Sequence, residues 1–483
     1  MNPRLQSRYL SEKKRRPCFV RPTPPKILDS VIEEIPTESK PHDDTLSGME
    51  KCKQLYDIIQ QDGKFLTSSL DLHYGENQRV PIDEAGNQEM VISEEMYNAP
   101  LTFTILNCVL PDSAMIYFGK PGLGKTTLPE YVSSMMFDIP MKDIQQATIY
   151  GHPQLTEEKM VAMYDVVKLL QGERELIQRD FTTCAVKIID EINRIPPATL
   201  SILYQLVDRG WTTYQNETIF AKPGPLFATA NPADSGNFDL PEPFLDRFPL
   251  GVTVQHLNPY HYEDFLGGKK ETPFAMYAED RGEVARQIQN VTIDSNLVSK
   301  LAHFSGELMG CDMAGSTPDT KLKSNALYNA PPCDTCEHFA AEGNICSSTE
   351  NGLSTRAINS IIQVTKGLAA WRNHSEADMG DLTHAITYTT WFKLRPTKDA
   401  FRDPVWSNDR QEWVKSLLKT SLHSFEETSH LFPMYRDISA NMGSEWQAEH
   451  YDECINVIKQ IDSLAKYPLI SALRQKHYVN RSR

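Results

Sequence analysis

A chain of 483 residues with 40% hydrophobic and 23% charged side chains has room for two or three folded units plus tails, and its composition is that of a globular protein. The 49 basic against 64 acidic residues leave a net charge of -15, which disfavours nucleic acid or another polyanion as the main ligand. No stretch reaches the roughly eighteen uninterrupted apolar residues of a membrane span, no apolar segment follows the basic N-terminus as an export signal would require, and the nine cysteines are therefore expected as reduced thiols in a cytoplasmic protein.

Residues 1–45 read as a flexible arm, because Pro22, Pro24 and Pro25 oppose a helix and apolar residues are few; the run Lys13 to Arg16 reads as a solvated charge cluster. An N-terminal extension, 46–98, carries a short helix around Met49–Ile59, and a second helix over Glu94–Cys108 leads into an α/β domain spanning 99–270. Strands alternate with helices there to about residue 255, the pattern of a parallel sheet with helices on both faces. A small helical lid follows over 290–398. Its helices are expected at Leu297–Met309 after Asp294 and Ser295, at Thr355–Trp371 capped by Ser354, and at Asp378–Phe392. The last segment, 399–483, is a C-terminal extension with helices near Asn408–His430 and Glu445–Lys466.

The apolar strand Ala114–Phe118 runs straight into Gly119, Lys120, Pro121, Gly122, Leu123, Gly124, Lys125, Thr126 and Thr127, a complete P-loop pattern with a strand before it and a helix after it. Glycines let successive backbone N–H groups face a phosphate, the helix N-terminus adds its positive end, and the Lys125 ammonium reaches the β- and γ-phosphates. ATP with Mg²⁺ is the implied ligand, with Thr126 offering its hydroxyl to the metal. A second apolar strand from Ala185 ends in Asp190-Glu191, where Asp190 would hold Mg²⁺ and Glu191 would polarise the attacking water. The strand from Pro225 to Ala230 delivers Asn231 to the same sheet edge, where it can orient water or the γ-phosphate. Leu245-Asp246-Arg247-Phe248 then places a charged pair between apolar anchors, and Arg247 could serve a phosphate or only its neighbour Asp246.

Asp190-Glu191-Ile192-Asn193-Arg194-Ile195-Pro196-Pro197, Ala228-Thr229-Ala230-Asn231-Pro232, Leu240-Pro241-Glu242 and Leu245-Asp246-Arg247-Phe248 together resemble the MoxR-type AAA+ ATPases, from the P-loop to the helix ending Lys393-Leu394-Arg395-Pro396. The resemblance implies that Asn231 is sensor 1, that Arg247 is an arginine finger offered to a neighbouring subunit, and that Arg356 in Gly352-Leu353-Ser354-Thr355-Arg356 is sensor 2. It further implies a homo-oligomeric ring, a hexamer, that remodels or activates a protein client with a von Willebrand factor A domain partner. Gly151 to Glu158 sits where that family inserts a client-facing segment into its second helix, and Trp211–Tyr214 with Thr218–Phe220 flank Gln215-Asn216 as a hairpin. Two other readings stay open: a motor resembling McrB, linked to nucleic acid and using GTP, and a metal- or redox-sensing ATP-dependent switch.

Cys311, Cys333, Cys336 and Cys346 crowd one irregular stretch, 310–350, within the lid. The Cys333-Asp334-Thr335-Cys336 spacing lets both thiolates face one metal, with His338 as a substitute ligand. Zn²⁺ and an iron–sulfur cluster are equally compatible, as the intervals match neither a standard zinc finger nor a ferredoxin, and ordinary loop thiols or a redox pair are the alternatives to a metal site.

Overall fold

Five short strands, β1 Ala114–Phe118, β2 Ile149–Tyr150, β3 Lys187–Asp190, β4 Leu226–Ala230 and β5 Leu250–Thr253, form one wholly parallel sheet in the order β5-β1-β4-β3-β2. Their near-continuous apolar runs suit a sheet covered on both faces, and β4, at its centre, is buried at every position. The computed structural model describes residues 46–61, 72–74, 78–81, 88–91, 95–111, 113–231, 238–255, 276–309, 348–397 and 409–428, with Phe274, Ile345 and Ala400. The arm 1–45, the helix expected at Glu445–Lys466 and all four of Cys311, Cys333, Cys336 and Cys346 lie outside the described residues. Among the described residues no helix is long and apolar enough to cross a membrane.

Helix α1 is Gly48–Gln61 and α2 is Ala99–Asn107. The sequence suggests that α2 begins near Glu94, but Met96–Tyr97 instead pairs as a strand with Leu72–His73, and the Asn98 side chain caps the helix by accepting from Leu101 N at 3.0 Å. All nine residues of α2 are buried, so it is an interior helix on the sheet. Helices α3 Thr127–Phe137 and α4 Met141–Ala147 follow the P-loop, and α5 Pro197–Arg209 follows β3, ending on Gly210 at φ 70°. The hairpin Trp211–Tyr214 with Glu217–Phe220 forms as its sequence suggests. Gln215 and Asn216, both at positive φ, make its two-residue turn.

The lid comprises α6 Ala278–Asn290, α7 Ser295–Met309, α8 Thr355–Trp371 and α9 Met379–Thr390, with α10 Arg410–Thr428 packed on α7 and α9. α6, which precedes the expected 290 boundary, packs on both α8 and α1. The caps are those the sequence names: Ser354 accepts from Ala357 N at 3.0 Å, and Asp378 accepts from Asp381 N at 3.0 Å. The N-terminal extension belongs to this unit too. A buried ion pair joins Lys51 to Asp280 at 2.8 Å, and Arg372 pairs with Glu95 at 2.8 Å while lying over the Tyr74 ring. Lid and sheet are fastened together by Trp391, whose indole N–H donates to Gly251 O at 2.7 Å, and by Phe118, which packs edge-on against Trp391.

Candidate functional site

The carboxyl ends of β1, β3 and β4 converge at one edge of the sheet, the position where open α/β sheets bind ligands. β1 delivers the P-loop. Gly119, Gly122 and Gly124 all have positive φ, and a Cβ on Gly119 would come within 2.6 Å of Val254 O, so only glycine permits this bend. α3 begins at Thr127, immediately behind the loop. Lys125 is buried, and its ammonium donates to the carbonyls of Gly119 and of Lys120, the latter at 3.0 Å. Burial lowers its pKa, while Asp190 and Glu191 oppose that shift. The cation is thus held inside the loop by weak neutral acceptors, which a polyphosphate can outcompete.

From β3, Asp190 comes to the mouth of this loop: the Thr126 hydroxyl donates to Asp190 Oδ1 at 2.8 Å. Both are hard oxygen donors of the kind Mg²⁺ prefers, and they already lie side by side. The residues present therefore fit the metal, with Thr126 and Asp190 as those that would hold it; when bound, Mg²⁺ supplies charge neutralisation on the phosphate oxygens. Glu191 follows with φ 51° and ψ 49°, a left-handed conformation that is strained for a non-glycine residue and typical of functional turns. Its carboxylate pairs with Arg194 at 2.9 Å.

Two residues that motif reading passes over hold this turn. Thr229, fully buried on β4, donates to Asp190 Oδ1 at 2.6 Å and accepts from Glu191 N at 2.9 Å, so one hydroxyl fixes both acidic residues. Asn193 does the same between strands: its amide donates to Asn231 O at 3.0 Å and accepts from Asn231 N at 3.4 Å. Asn231 is buried and anchored beside the Glu191 turn, where the sequence places it. The available signals were the position of Thr229 two residues before Asn231 at the end of β4, on the same face of the sheet, and Asn193 within the motif after Glu191. Gly151 packs beneath the same turn, since a Cβ there would approach Glu191 O to 2.1 Å.

Arg247 and Arg356 are elsewhere. Register pairs Leu250 with Met115 and Thr253 with Phe118, so the chain enters β5 at the Ala114 end of β1, opposite the P-loop. Arg247 precedes that entry, and a five-residue strand separates the two edges by about 16 Å. Asp208, at the end of α5, marks the same far edge by lining a cavity with Ser113, Ala114, Pro225 and Leu226. Arg356 pairs with Asp208 at 2.6 Å and with Asp246 at 3.5 Å, and Arg247 approaches Asp208 at 4.0 Å. Asp246 is thus taken by Arg356 and by the Ser354 hydroxyl at 2.6 Å, and the Asp246 partnership open to Arg247 on sequence grounds is not the one formed. The structure gathers the P-loop, Asp190, Glu191 and Asn231 at one edge, and both arginines at the other.

The segment expected to face a client, Gly151 to Glu158, is exposed at Pro153, Gln154 and Thr156 to Glu158, and a second exposed piece follows it. Gly151 and Leu155 are buried, and the projecting piece is the hairpin Ala162–Tyr164 with Leu176–Gln178, bearing a short helix Val166–Leu170. Val167 and Leu170 there are 65% and 85% exposed.

Residues 114–248 match the family model for the AAA domain, dynein-related subfamily. A crystal structure of a candidate ATPase from Cytophaga hutchinsonii is similar with a TM-score of 0.53 at 16% identity, over 77% of this chain and 96% of that one, a likeness of fold. No curated protein matches the chain. With its phosphate-binding loop, its paired acidic residues and this domain match, the chain carries a P-loop ATPase domain of the AAA+ class.

Proposed function

We propose that the chain is a MoxR-like motor that assembles into a ring, a hexamer, and hydrolyses ATP to remodel or activate a protein client, with a von Willebrand factor A domain protein as partner. The observation that carries the ring is the division of the catalytic set across the sheet. Phosphate binding and water activation sit at one edge, and the two arginines that would neutralise transition-state charge sit about 16 Å away at the other. This division supports a site completed by arginines from a neighbour, and a head-to-tail arrangement of that kind can close into a ring. Within the site Lys125 would grip the β- and γ-phosphates, Glu191 would polarise water, Asn231 would orient it, and Arg247 would reach the neighbour's γ-phosphate.

The client role draws support from the Val166–Leu170 helix. Four of its five residues, Val166, Val167, Leu169 and Leu170, are apolar and exposed on a projecting hairpin, the kind of surface that a monomer rarely leaves uncovered without a binding role. The test is affinity capture with Glu191→Gln in ATP, since a subunit that binds without hydrolysing holds ring and partners together. A ring retaining a protein partner supports the reading. A preference for GTP with co-purifying nucleic acid would replace it with the McrB-like one, and a chain that stays monomeric in ATP would contradict it.

A further inference from the structure

We propose that Asp208 is a positioning residue for the hydrolysis reaction, holding Arg247 and Arg356 together as one two-armed clamp for the next subunit's terminal phosphate; this rests on the reading of Arg247 as a finger acting in trans. Asp208 touches both arginines through different oxygens: Oδ1 meets Arg356 at 2.6 Å, and Oδ2 faces Arg247 at 4.0 Å. Two guanidiniums that face one carboxylate repel one another, and the Asp208 charge between them offsets that repulsion. Asp246 is already engaged, its Oδ1 accepting the Ser354 hydroxyl and its Oδ2 facing Arg356 at 3.5 Å. Arg356 therefore spans two carboxylates, one nitrogen on each, while Arg247 leans on Asp208 and on Pro243 O. A pair of forks preset side by side matches the several oxygens of a phosphate better than one mobile arginine.

The position of Asp208 adds a second consequence. α5 starts just after the Glu191–Arg194 turn and ends at Asp208 and Arg209, so one thirteen-residue rod, about 20 Å long at 1.5 Å per residue, runs from a subunit's own water-activating residue to the arginines it offers its neighbour. A shift of the Glu191 turn on nucleotide binding would move Asp208, and with it both arginines. An exposed ion pair of this sort contributes little to stability, so removing its charge should leave the fold intact.

The experiment compares Asp208→Asn, Asp208→Glu, Arg247→Ala and the Asp208→Asn/Arg247→Ala double variant in steady-state ATP hydrolysis, with direct nucleotide titration and light scattering on each. Asp208→Asn should lower kcat by about tenfold or more while KM, nucleotide affinity and ring mass hold within about twofold, because ground-state binding is made at the other edge. Asp208→Glu should recover part of the rate, and Asp208→Asn should cost clearly less in the Arg247→Ala background than alone, the remaining loss being what it withdraws from Arg356. Full kcat in Asp208→Asn beside an inactive Arg247→Ala, or additive losses in the double variant, would overturn the role of Asp208. Full activity in Arg247→Ala would overturn the finger reading itself. Should the asparagine variant fail to bind nucleotide, Asp208→Ser carries the same comparison.

Discussion

Replacing Thr229 with valine keeps the shape of a fully buried β4 side chain and deletes one hydroxyl. That hydroxyl donates to Asp190 at 2.6 Å and accepts from Glu191 N at 2.9 Å. A hydrogen bond to a charged group contributes about 1.5–3 kcal/mol and a neutral one about 0.5–1.5 kcal/mol, so the loss at the site is on the order of 2–4 kcal/mol. Glu191 is in a left-handed conformation that itself costs about 1–3 kcal/mol and persists only while its surroundings hold it. Released from Thr229, the turn should relax and carry the carboxylate away from its water. At about 1.4 kcal/mol per decade, Thr229→Val should lower kcat by roughly 30- to 700-fold. The P-loop itself is untouched, so nucleotide affinity measured without Mg²⁺ should change little. Thr229→Ser, which restores the hydroxyl, should regain most of the rate. A valine variant with wild-type kcat would refute the claim that this hydroxyl organises the acidic pair.

Gly151→Ala should likewise depress hydrolysis more than binding, because its Cβ would meet Glu191 O at 2.1 Å and backbone must yield; equal kcat and a wild-type melting temperature would refute the contact. The His384 ring, held lower than usual at about 4 chiefly by burial, binds its proton less readily when folded, so it contributes stability present above the unfolded value of 6.5 and lost as pH falls toward 4. Asp381, raised by burial to about 6, acts in the opposite sense over an overlapping window, so the test is the difference between wild type and His384→Gln in denaturant midpoints from pH 4 to 7. The variant should show the shallower acid loss, by on the order of 3 kcal/mol across that window, and identical slopes would contradict the assignment. Cys333→Ser with Cys336→Ser should lose bound zinc or iron while retaining ATP binding, and wild-type protein purified anaerobically with neither metal would count against a site there.

The phosphate-binding edge was legible because its signals are local: three glycines with a lysine and threonine between one apolar strand and one helix, and an acidic pair at the end of another. Helix limits at Ser354 and Asp378 were readable for the same reason, since a cap acts within one turn. What escaped is tertiary. Asp208 and Arg356 are 148 positions apart, and nothing in either neighbourhood announces that they meet. The resemblance names Arg356 as sensor 2 without revealing that it stands with Arg247 on the edge away from the P-loop. Gly151 to Glu158 is largely exposed, but nothing local announces that Gly151 is wedged under Glu191, nor that the mostly apolar Val166 to Leu170 lies at the surface. The attachment of the N-terminal extension to the lid by Lys51–Asp280 and Arg372–Glu95 also joins residues too far apart for any local pattern to show.

The most direct test of a catalytic set divided between subunits is complementation. Arg247→Ala leaves the P-loop whole and spoils the offered arginine; Lys125→Ala does the reverse. Each alone should be inactive, since an arginine supplied in trans contributes on the order of 10³-fold or more. Mixed in equal amounts, they should regain roughly a quarter of wild-type turnover, the share of interfaces in a closed ring that by random pairing unite an intact P-loop with an intact arginine. Mixed rings, verified by differential tagging, that recover no activity would contradict the account.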